Sequence, residues 1–479
     1  MSLPDSARPR PLPTSASYAI TVRLYAAPSA AVVGVLATTV GTAGGLVTAI
    51  DVTESRPDRI TIDVTCSAAN GEHAAEIVDA IHAVEGVTVH RVSDRTFLLH
   101  LGGKISVESK VPLRTRDDLS MAYTPGVGRV SLALAAHPED VVKLTIKGNS
   151  VAVVTDGSAV LGLGNLGPGA ALPVMEGKAA LFKRFANIDA WPICLDTQDT
   201  DDIVRIVRGI SPGFGGINLE DISAPRCFEI ERRLRAELDI PVFHDDQHGT
   251  AIVVLAALTN ALRCVSKPLG SARIVVAGGG AAGTAIVTLL LAAGAGHVLV
   301  WDREGILSPT DPTLNSAKRA LATMTNPAAV TGGLHDALLG ADVFVGVSGP
   351  GVLPAAWLAD MAADPVVFAL ANPDPEVDVD AAQPLATVLA TGRSDYPNQI
   401  NNVLAFPGVF RGLLDARARE VSIPMLLSAA DALAHCVSDE ALNATYIVPS
   451  VFDPAVHTAV AAAVRAAATG GASSNHGMA

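Results

Sequence analysis

The sequence predicts an α/β protein with a small βαββαβ domain, an α/β domain and a doubly wound parallel sheet, in that order. Strands and helices alternate from about Gly249 to Gly412, the pattern of a parallel sheet covered on both faces. Within that run a short apolar strand, Arg273 to Ala277, leads into Gly278, Gly280 and Gly283 in G-x-G-x-x-G register and then into an Ala-rich helix. At the other end, Tyr18 to Leu101 reads strand, helix, strand, strand, helix, strand.

The chain has 479 residues, 49% of them hydrophobic, enough for several cores. Residues 1–16 are rich in Pro and Ser, lack the apolar stretch of a secretory signal and read as a disordered tail. Residues 17–101 form the first domain. Its expected strands are YAITVRLYA, GLVTAIDVTE, RITIDVTCS and TFLLHLG, and its expected helices SAAVVGVLATTVG and GEHAAEIVDAIHAV. This ferredoxin-like order resembles an ACT domain, which implies a small effector, often an amino acid, bound near the GTAGG turn. The same turn also reads as a plain tight turn, and the module as a dimerisation or packing unit.

Residues 102–248 read as an α/β domain with strands VAVVTD and WPICLD and a helix opening after Glu176. Residues 249–434 carry the doubly wound sheet, and 435–479 a helical segment with a frayed end, ATGGASSNHGMA. Apolar stretches such as Ala251–Val265 are interrupted by Thr259, Asn260 and Arg263, so no membrane span is expected. A net charge of −14 argues against nucleic acid and anionic membranes as partners. The five cysteines are scattered without a CxxC pair, as in a reduced, cytoplasmic protein.

The glycines of the 278–283 loop let the chain turn tightly and bring backbone N–H groups against a pyrophosphate at a helix N-terminus. With a strand before, a helix after and Asp302 ending the next strand, HVLVW, this is a Rossmann-type dinucleotide site. Asp302 suits the ribose hydroxyls of NAD, while Arg303 beside it suits the 2′-phosphate of NADP.

Two acidic pairs stand upstream. Glu220-Asp221 follow the loop GFGGIN, and Asp245-Asp246 follow the apolar run IPVF. Carboxylates at strand ends can converge on one hard cation, Mg²⁺ or Mn²⁺. His244 and His248 have zinc-like spacing, but no cysteine lies near and four carboxylates do. Lys178 is expected to open a helix whose next residues are apolar; a desolvated lysine can serve as a base. Tyr123 lies in the Pro/Gly turn of AYTPGVG, where a phenol is either structural or a proton donor.

SMAYTPGVGRV, VTDGSAVLGLGNLGPGAALPVMEGKAALFKRF, NLEDI, VFHDDQHGTA, the GGGAAG loop, ALANPDPE and NQINNVLAFPGVFRG occur in the order found in malic enzymes of the shorter bacterial type. The resemblance runs from about Lys110 to about Ala434. It implies oxidative decarboxylation of L-malate to pyruvate and CO₂ with reduction of NAD or NADP, dependent on Mg²⁺ or Mn²⁺, in a homodimer or larger homo-oligomer. By motif, Lys178 matches the general base and Tyr123 the acid that protonates C3. Glu220, Asp221 and Asp246 match the metal ligands, and Asp245 the carboxylate supporting the lysine. Asn372 and Asn402 match residues near nicotinamide and substrate, with Asn401 a second contact. Larger members carry an arginine two residues after the TDG glycine; here Ala159 stands there, which leaves the clamp on the malate carboxylate unassigned.

That chemistry is consistent with the residue types. Oxidation at C2 requires loss of the hydroxyl proton, and the resulting β-keto acid loses CO₂ when electrons flow into its C2 carbonyl. A malolactic enzyme, which releases lactate without net redox change, uses a similar site and remains an alternative. A catalytically silent effector-binding regulator is the reading from another class; the retained tyrosine, lysine and carboxylates oppose it.

Overall fold

The computed structural model describes residues 14–29 and 31–474. The chain divides into two compact units, one ending at Ser106 and the other starting at Val107.

The first unit contains β1 (Ser15–Ala26), α1 (Ala31–Thr42), β2 (Leu46–Ser55), β3 (Ile60–Ala68), α2 (Gly71–His82), β4 (Val87–Asp94) and α3 (Arg95–His100). The strands form one antiparallel sheet in the order β2-β3-β1-β4. Alternate residues on β1 and β3, among them Val22, Leu24, Ile62 and Val64, pack against Leu36 and Val40 of α1 and Ile77 and Ile81 of α2. The glycine turn after α1 serves this packing. A Cβ on Gly45 would lie 2.7 Å from Ile77 Cδ1 and 2.8 Å from Val40 Cγ1, so a side chain there would have to displace both core residues.

Two expectations fail in this unit. Ser15 and Ala16, placed in a disordered tail, already belong to β1; the rest of that tail, through Pro13, lies outside the described residues. The fourth strand is Val87–Asp94, whereas TFLLHLG, expected as the strand, starts in helix α3 and ends in a turn. Asp94 decides this by accepting from the N–H groups of Thr96 and Phe97 as an N-cap, which starts a helix where apolar composition alone suggested a strand.

The second unit begins with α4 (Arg116–Ala122), α5 (Gly126–Ala136) and α6 (Val141–Leu144). It continues through β5 (Ser150–Thr155), α7 (Pro168–Ala186), β6 (Asp189–Cys194), α8 (Thr200–Ile210), β7 (Gly216–Leu219), α9 (Arg226–Glu237) and β8 (Val242–His244). These four strands form a parallel sheet in the order β6-β5-β7-β8. Helix α10 (Asp245–Cys264) follows directly and runs through residues 248 and 249, where a domain boundary was expected. Its apolar residues, Ile252 to Leu258 among them, are buried nearly all round, and it packs against α11 and α16.

Next come β9 (Arg273–Ala277), α11 (Ala281–Ala292), β10 (His297–Asp302), β11 (Gly305–Ile306), α12 (Ser316–Thr325), α13 (Leu334–Leu338) and β12 (Val343–Gly346). Then follow β13 (Val366–Ala369), α14 (Val379–Ala382), β14 (Val388–Thr391), α15 (Phe406–Ala416), α16 (Ile423–Ala434) and α17 (Pro454–Ser474). The six strands are ordered β11-β10-β9-β12-β13-β14, parallel except for β11. The order reverses between β9 and β12, the switch point where doubly wound sheets bind nucleotides.

Further corrections fall here. Part of the expected loop GFGGIN is β7. Lys178 does not open a helix. Pro168 starts α7 with its fixed φ, and Lys178 sits mid-helix on the buried face. Residues 468–474 of the segment expected to fray form the end of α17, and residues 475–479 lie outside the described residues. Among the described residues no helix is long and apolar enough to cross a membrane.

Candidate active site

The ends of the paired strands β7 and β8 lie at the N-terminus of α10, and the acidic side chains gather there. Glu220 and Asp221 follow β7; Asp245 and Asp246 open α10 directly after β8. One carboxylate oxygen from each of Glu220, Asp221 and Asp246 lies within 4.8 Å of the others. Asp221 adopts φ +54°, an uncommon conformation for a residue with a Cβ. It is held by its own backbone: its N–H donates to Asp246 Oδ2 at 2.8 Å and its C=O accepts from Ala159 at 2.9 Å.

Lys178 reaches the same place from α7. It is 7% exposed, its Nζ lies 2.9 Å from Glu220 Oε1, and it donates to Asp245 Oδ2. The Phe406 ring lies 4.2 Å from Nζ, and Phe182, one turn on, packs edge-on against Phe406 and Phe410. Asp245, fully buried, also accepts from Asn402 Nδ2 at 2.6 Å. Burial works against the lysine's charge, but Asp245 and Glu220 outweigh it and hold the ammonium protonated well above the usual lysine range.

Four carboxylates and one ammonium leave this enclosure with excess negative charge. Burial, then the neighbouring Asp246, pushes Asp221 up to about 7. Burial opposes ionisation of Asp246 as well, but hydrogen bonding from His244 wins and keeps its pKa low. Asp221 Oδ2 is buried and has no hydrogen-bond partner among the described residues. An all-oxygen set with an unpaired buried oxygen and crowded like charges fits a hard divalent cation.

The supports around this set carry no local signature in the chain. Asn218 Nδ2 donates to Glu220 Oε2 at 2.8 Å. Glu231, in a charged stretch of α9 that reads as a solvated face, is buried; it accepts from His248 Nε2 at 2.7 Å and Gln247 Nε2 at 3.0 Å. Gln247 also contacts His244 Nδ1 at 2.6 Å, and His244 Nε2 lies 3.1 Å from Asp246 Oδ2. The two histidines thus face carboxylates as hydrogen-bonding partners.

Other candidate residues stand apart. Asn401 uses its side chain to accept from Val403 N–H at 3.0 Å, capping the turn that presents Asn402. Asn372 is exposed on the loop after β13. Its carbonyl oxygen would lie 2.8 Å from a Cβ on Gly162, and no hydrogen bond among the described residues ties it to Lys178. Tyr123 ends α4, is 65% exposed and has no side-chain hydrogen bond among the described residues.

At the switch point of the second sheet lies a cavity of about 580 Å³ whose lining includes Gly278, Gly280, Asp302, Arg303, Lys318 and Ser348. Gly278 and Gly283 each have a separate steric reason to lack a Cβ. Gly278 has φ +122° and a Cβ would lie 2.5 Å from Val347 O; on Gly283 it would lie 1.8 Å from Gly278 O. Gly280, the N-cap of α11, has open space before it. Asp302 pairs with Lys318 at 2.7 Å and accepts from Arg303 N–H at 2.8 Å; these partners outweigh its burial and keep it ionised. The geometry suits a dinucleotide with its pyrophosphate at the N-terminus of α11.

Residues 102–235 match the profile of the malic enzyme N-terminal domain, and residues 247–469 that of the malic enzyme NAD binding domain. The NAD-dependent malic enzyme of Geobacillus stearothermophilus is 54% identical over 457 residues, 95% of this chain and 96% of that protein. The chain belongs to the malic enzyme family. Among other family members, the bifunctional malic/malolactic enzyme of Bacillus subtilis is 50% identical, over 80% of this chain and 92% of its own. The crystal structure of the Thermotoga maritima NAD-dependent malic enzyme superposes with a TM-score of 0.74 at 50% identity, covering 77% of this chain and 98% of that one. The malic enzyme of Entamoeba histolytica gives a TM-score of 0.76 at 37% identity, covering 79% and 81%.

Proposed function

We propose that this malic enzyme family member oxidises L-malate to pyruvate and CO₂ with NAD as the preferred acceptor. The supporting observation is Lys178, buried between Glu220 and Asp245 beside a three-carboxylate cluster in a chain that also carries a dinucleotide cavity.

Glu220, Asp221 and Asp246 would hold Mg²⁺ or Mn²⁺, which supplies Lewis acidity at the substrate's C2 oxygen. Gly278 and Gly280, with Gly283 packed beneath them, and Asp302 would hold NAD, which would supply the hydride acceptor. Lys178 takes the C2 hydroxyl proton. Glu220, the one residue common to the cluster and the lysine contacts, would hold the ammonium less strongly with a cation present, which would bring Lys178 closer to a neutral, basic form. Asp245, anchored by Asn402, keeps Nζ aimed at the substrate. Once CO₂ has left, the proton on Lys178 is available to the C2 oxygen, and Tyr123 donates to C3. Asn372, Asn401 and Asn402 supply amides at the substrate and nicotinamide end.

Tyr123 shares its exposed segment with Leu119, Met121 and Leu132, which are 53–74% exposed. Its acid role needs that surface covered, and we assign the cover to a second copy in a homodimer or larger homo-oligomer. The first unit, with its ACT-like strand order, is read as a regulatory module for a small effector, and the protein as cytoplasmic.

A steady-state assay with malate, Mn²⁺ and NAD or NADP tests the reading. Growth of absorbance from reduced cofactor supports it; lactate without reduced cofactor replaces it with the malolactic reaction, and neither product defeats both. Repeating the assay with amino acids and acyl-CoA esters, on protein with and without residues 1–106, tests the regulatory role. Light scattering on the full chain tests the assembly, a monomer being the contrary result.

A further inference from the structure

Glu376 is fully buried on the loop between β13 and α14, yet it lies outside the acidic cluster and takes no part in the chemistry above. Its two carboxylate oxygens serve different strands. Oε1 accepts from the Ser348 N–H at 2.9 Å, just past the end of β12; Oε2 accepts from the Ala371 N–H at 2.9 Å, just past the end of β13. The carboxylate fits against Gly346, the last residue of β12, where a Cβ would lie 2.4 Å from the carboxyl carbon. The main chain adds two ties: Gly351 N–H donates to Pro375 O at 3.1 Å and Leu353 N–H to Glu376 O at 2.9 Å.

Both loops matter to the proposed site. Val347 to Pro350 form one wall of the dinucleotide cavity, facing Gly278 to Gly280, and the Val347 carbonyl sits where a side chain on Gly278 would go. Ala371 precedes Asn372, whose carbonyl lies against Gly162. We infer that Glu376 is a positioning residue for cofactor binding, one carboxylate that clamps the cavity wall after β12 to the Asn372 loop after β13. The inference rests on reading that cavity as the NAD site. A carboxylate suits the position because it presents two acceptor oxygens to two backbone donors. A glutamine of the same shape presents one oxygen and one NH₂, so one of the two amides faces another donor.

NAD titrations followed by fluorescence of Trp301, which lines the cavity, test this on the full chain. Glu376→Gln should raise the dissociation constant for NAD about tenfold and lower kcat, with the Mn²⁺-induced rise in Tm retained. Glu376→Asp, equally charged but one methylene shorter, reaches a single amide and should fall between the two; it carries the test if the glutamine variant does not fold. An NAD dissociation constant like that of the wild type in either folded variant, with only a lowered Tm, overturns the inference and leaves Glu376 a plain core residue. Wild-type protein that fails to saturate with NAD overturns the reading of the cavity itself, and this inference with it.

Discussion

Lys178 Nζ lies 2.9 Å from Glu220 Oε1, with Asp245 paired on another side and the Phe406 ring 4.2 Å away. A lysine so enclosed cannot be exchanged for a neutral residue without stranding two buried carboxylates. Lys178→Met should lower kcat/KM by about 10²–10⁴-fold, the range for loss of a positioned acid or base, while NAD binding changes little. The folded-state pKa lies above the unfolded value, so the stabilisation from the charged lysine is fully present below about 10.4 and is lost only as pH rises through the folded value. The wild-type and Met proteins should therefore show a Tm difference that persists across pH 7–10. A variant as active as the parent defeats the base assignment.

The parts of this site legible in the sequence are those with local signatures. Gly278, Gly280 and Gly283 announce themselves by their spacing between a strand and the helix it feeds; the demand at Gly283 is local, from the Gly278 carbonyl, whereas the Val347 carbonyl that excludes a side chain at Gly278 comes from far along the chain. Glu220-Asp221 and Asp245-Asp246 stand out as adjacent pairs, one after a Gly-rich loop and one after an apolar run. What the sequence hides depends on contacts made far along the chain. Glu231 looks like one more charge in an exposed helix until His248 and Gln247 are packed on it, 16–17 residues away. Glu376 is silent until the ends of β12 and β13 are placed side by side. At TFLLHLG the cause of the difference is local: Asp94 ends a strand and also caps a helix, and the apolar composition after it is compatible with either element.

The acidic cluster predicts a pH dependence that a metal should remove. Asp221 titrates at about 7 against 3.8 for an ordinary aspartate, burial first and Asp246 second. Its folded pKa is raised, so between those values the folded state binds more protons than the unfolded chain, and stability falls as pH rises. Metal-free protein should lose Tm between pH 4 and 7 on this account. Mn²⁺ at one hundred times its dissociation constant at pH 7.5 should add about 2.7 kcal/mol of stability at that pH, and the same concentration should raise Tm less at pH 5, where Asp221 is protonated. Melting curves with chelator or Mn²⁺ at both pH values check it; an equal shift at both would remove Asp221 from the ligand set.

Asp302 and Lys318 are 2.7 Å apart at the ribose end of the cavity, with Arg303 next along the chain. The carboxylate repels a 2′-phosphate and neutralises the lysine that would attract one. Asp302→Ser should remove the repulsion and free Lys318 and Arg303 together. The ratio of kcat/KM for NADP over NAD should then rise about tenfold or more, on the order of 1.4 kcal/mol. Steady-state rates with both cofactors decide it, and an unchanged ratio would place the specificity elsewhere.

Gly249 lies inside α10, where glycine to alanine ordinarily stabilises a helix by about 0.5–1 kcal/mol. Here the expected sign is reversed. A Cβ at this position would lie 1.8 Å from Asp245 Oδ1 and 3.3 Å from Asn402 Cβ. Asp245 is fully buried at the start of the same helix and has no room to swing aside without releasing Lys178 and Asn402. The overpacking cost, about 1–3 kcal/mol, exceeds the helix gain. Gly249→Ala should therefore lower Tm and reduce kcat/KM by about 100-fold or more, although residue 249 touches no substrate. The loss should appear mainly in kcat, because the displaced group is the one that aims the lysine, while the NAD cavity is formed by other loops. A variant that melts higher and turns over normally would mean that Asp245 does not need its observed place for Lys178 to work.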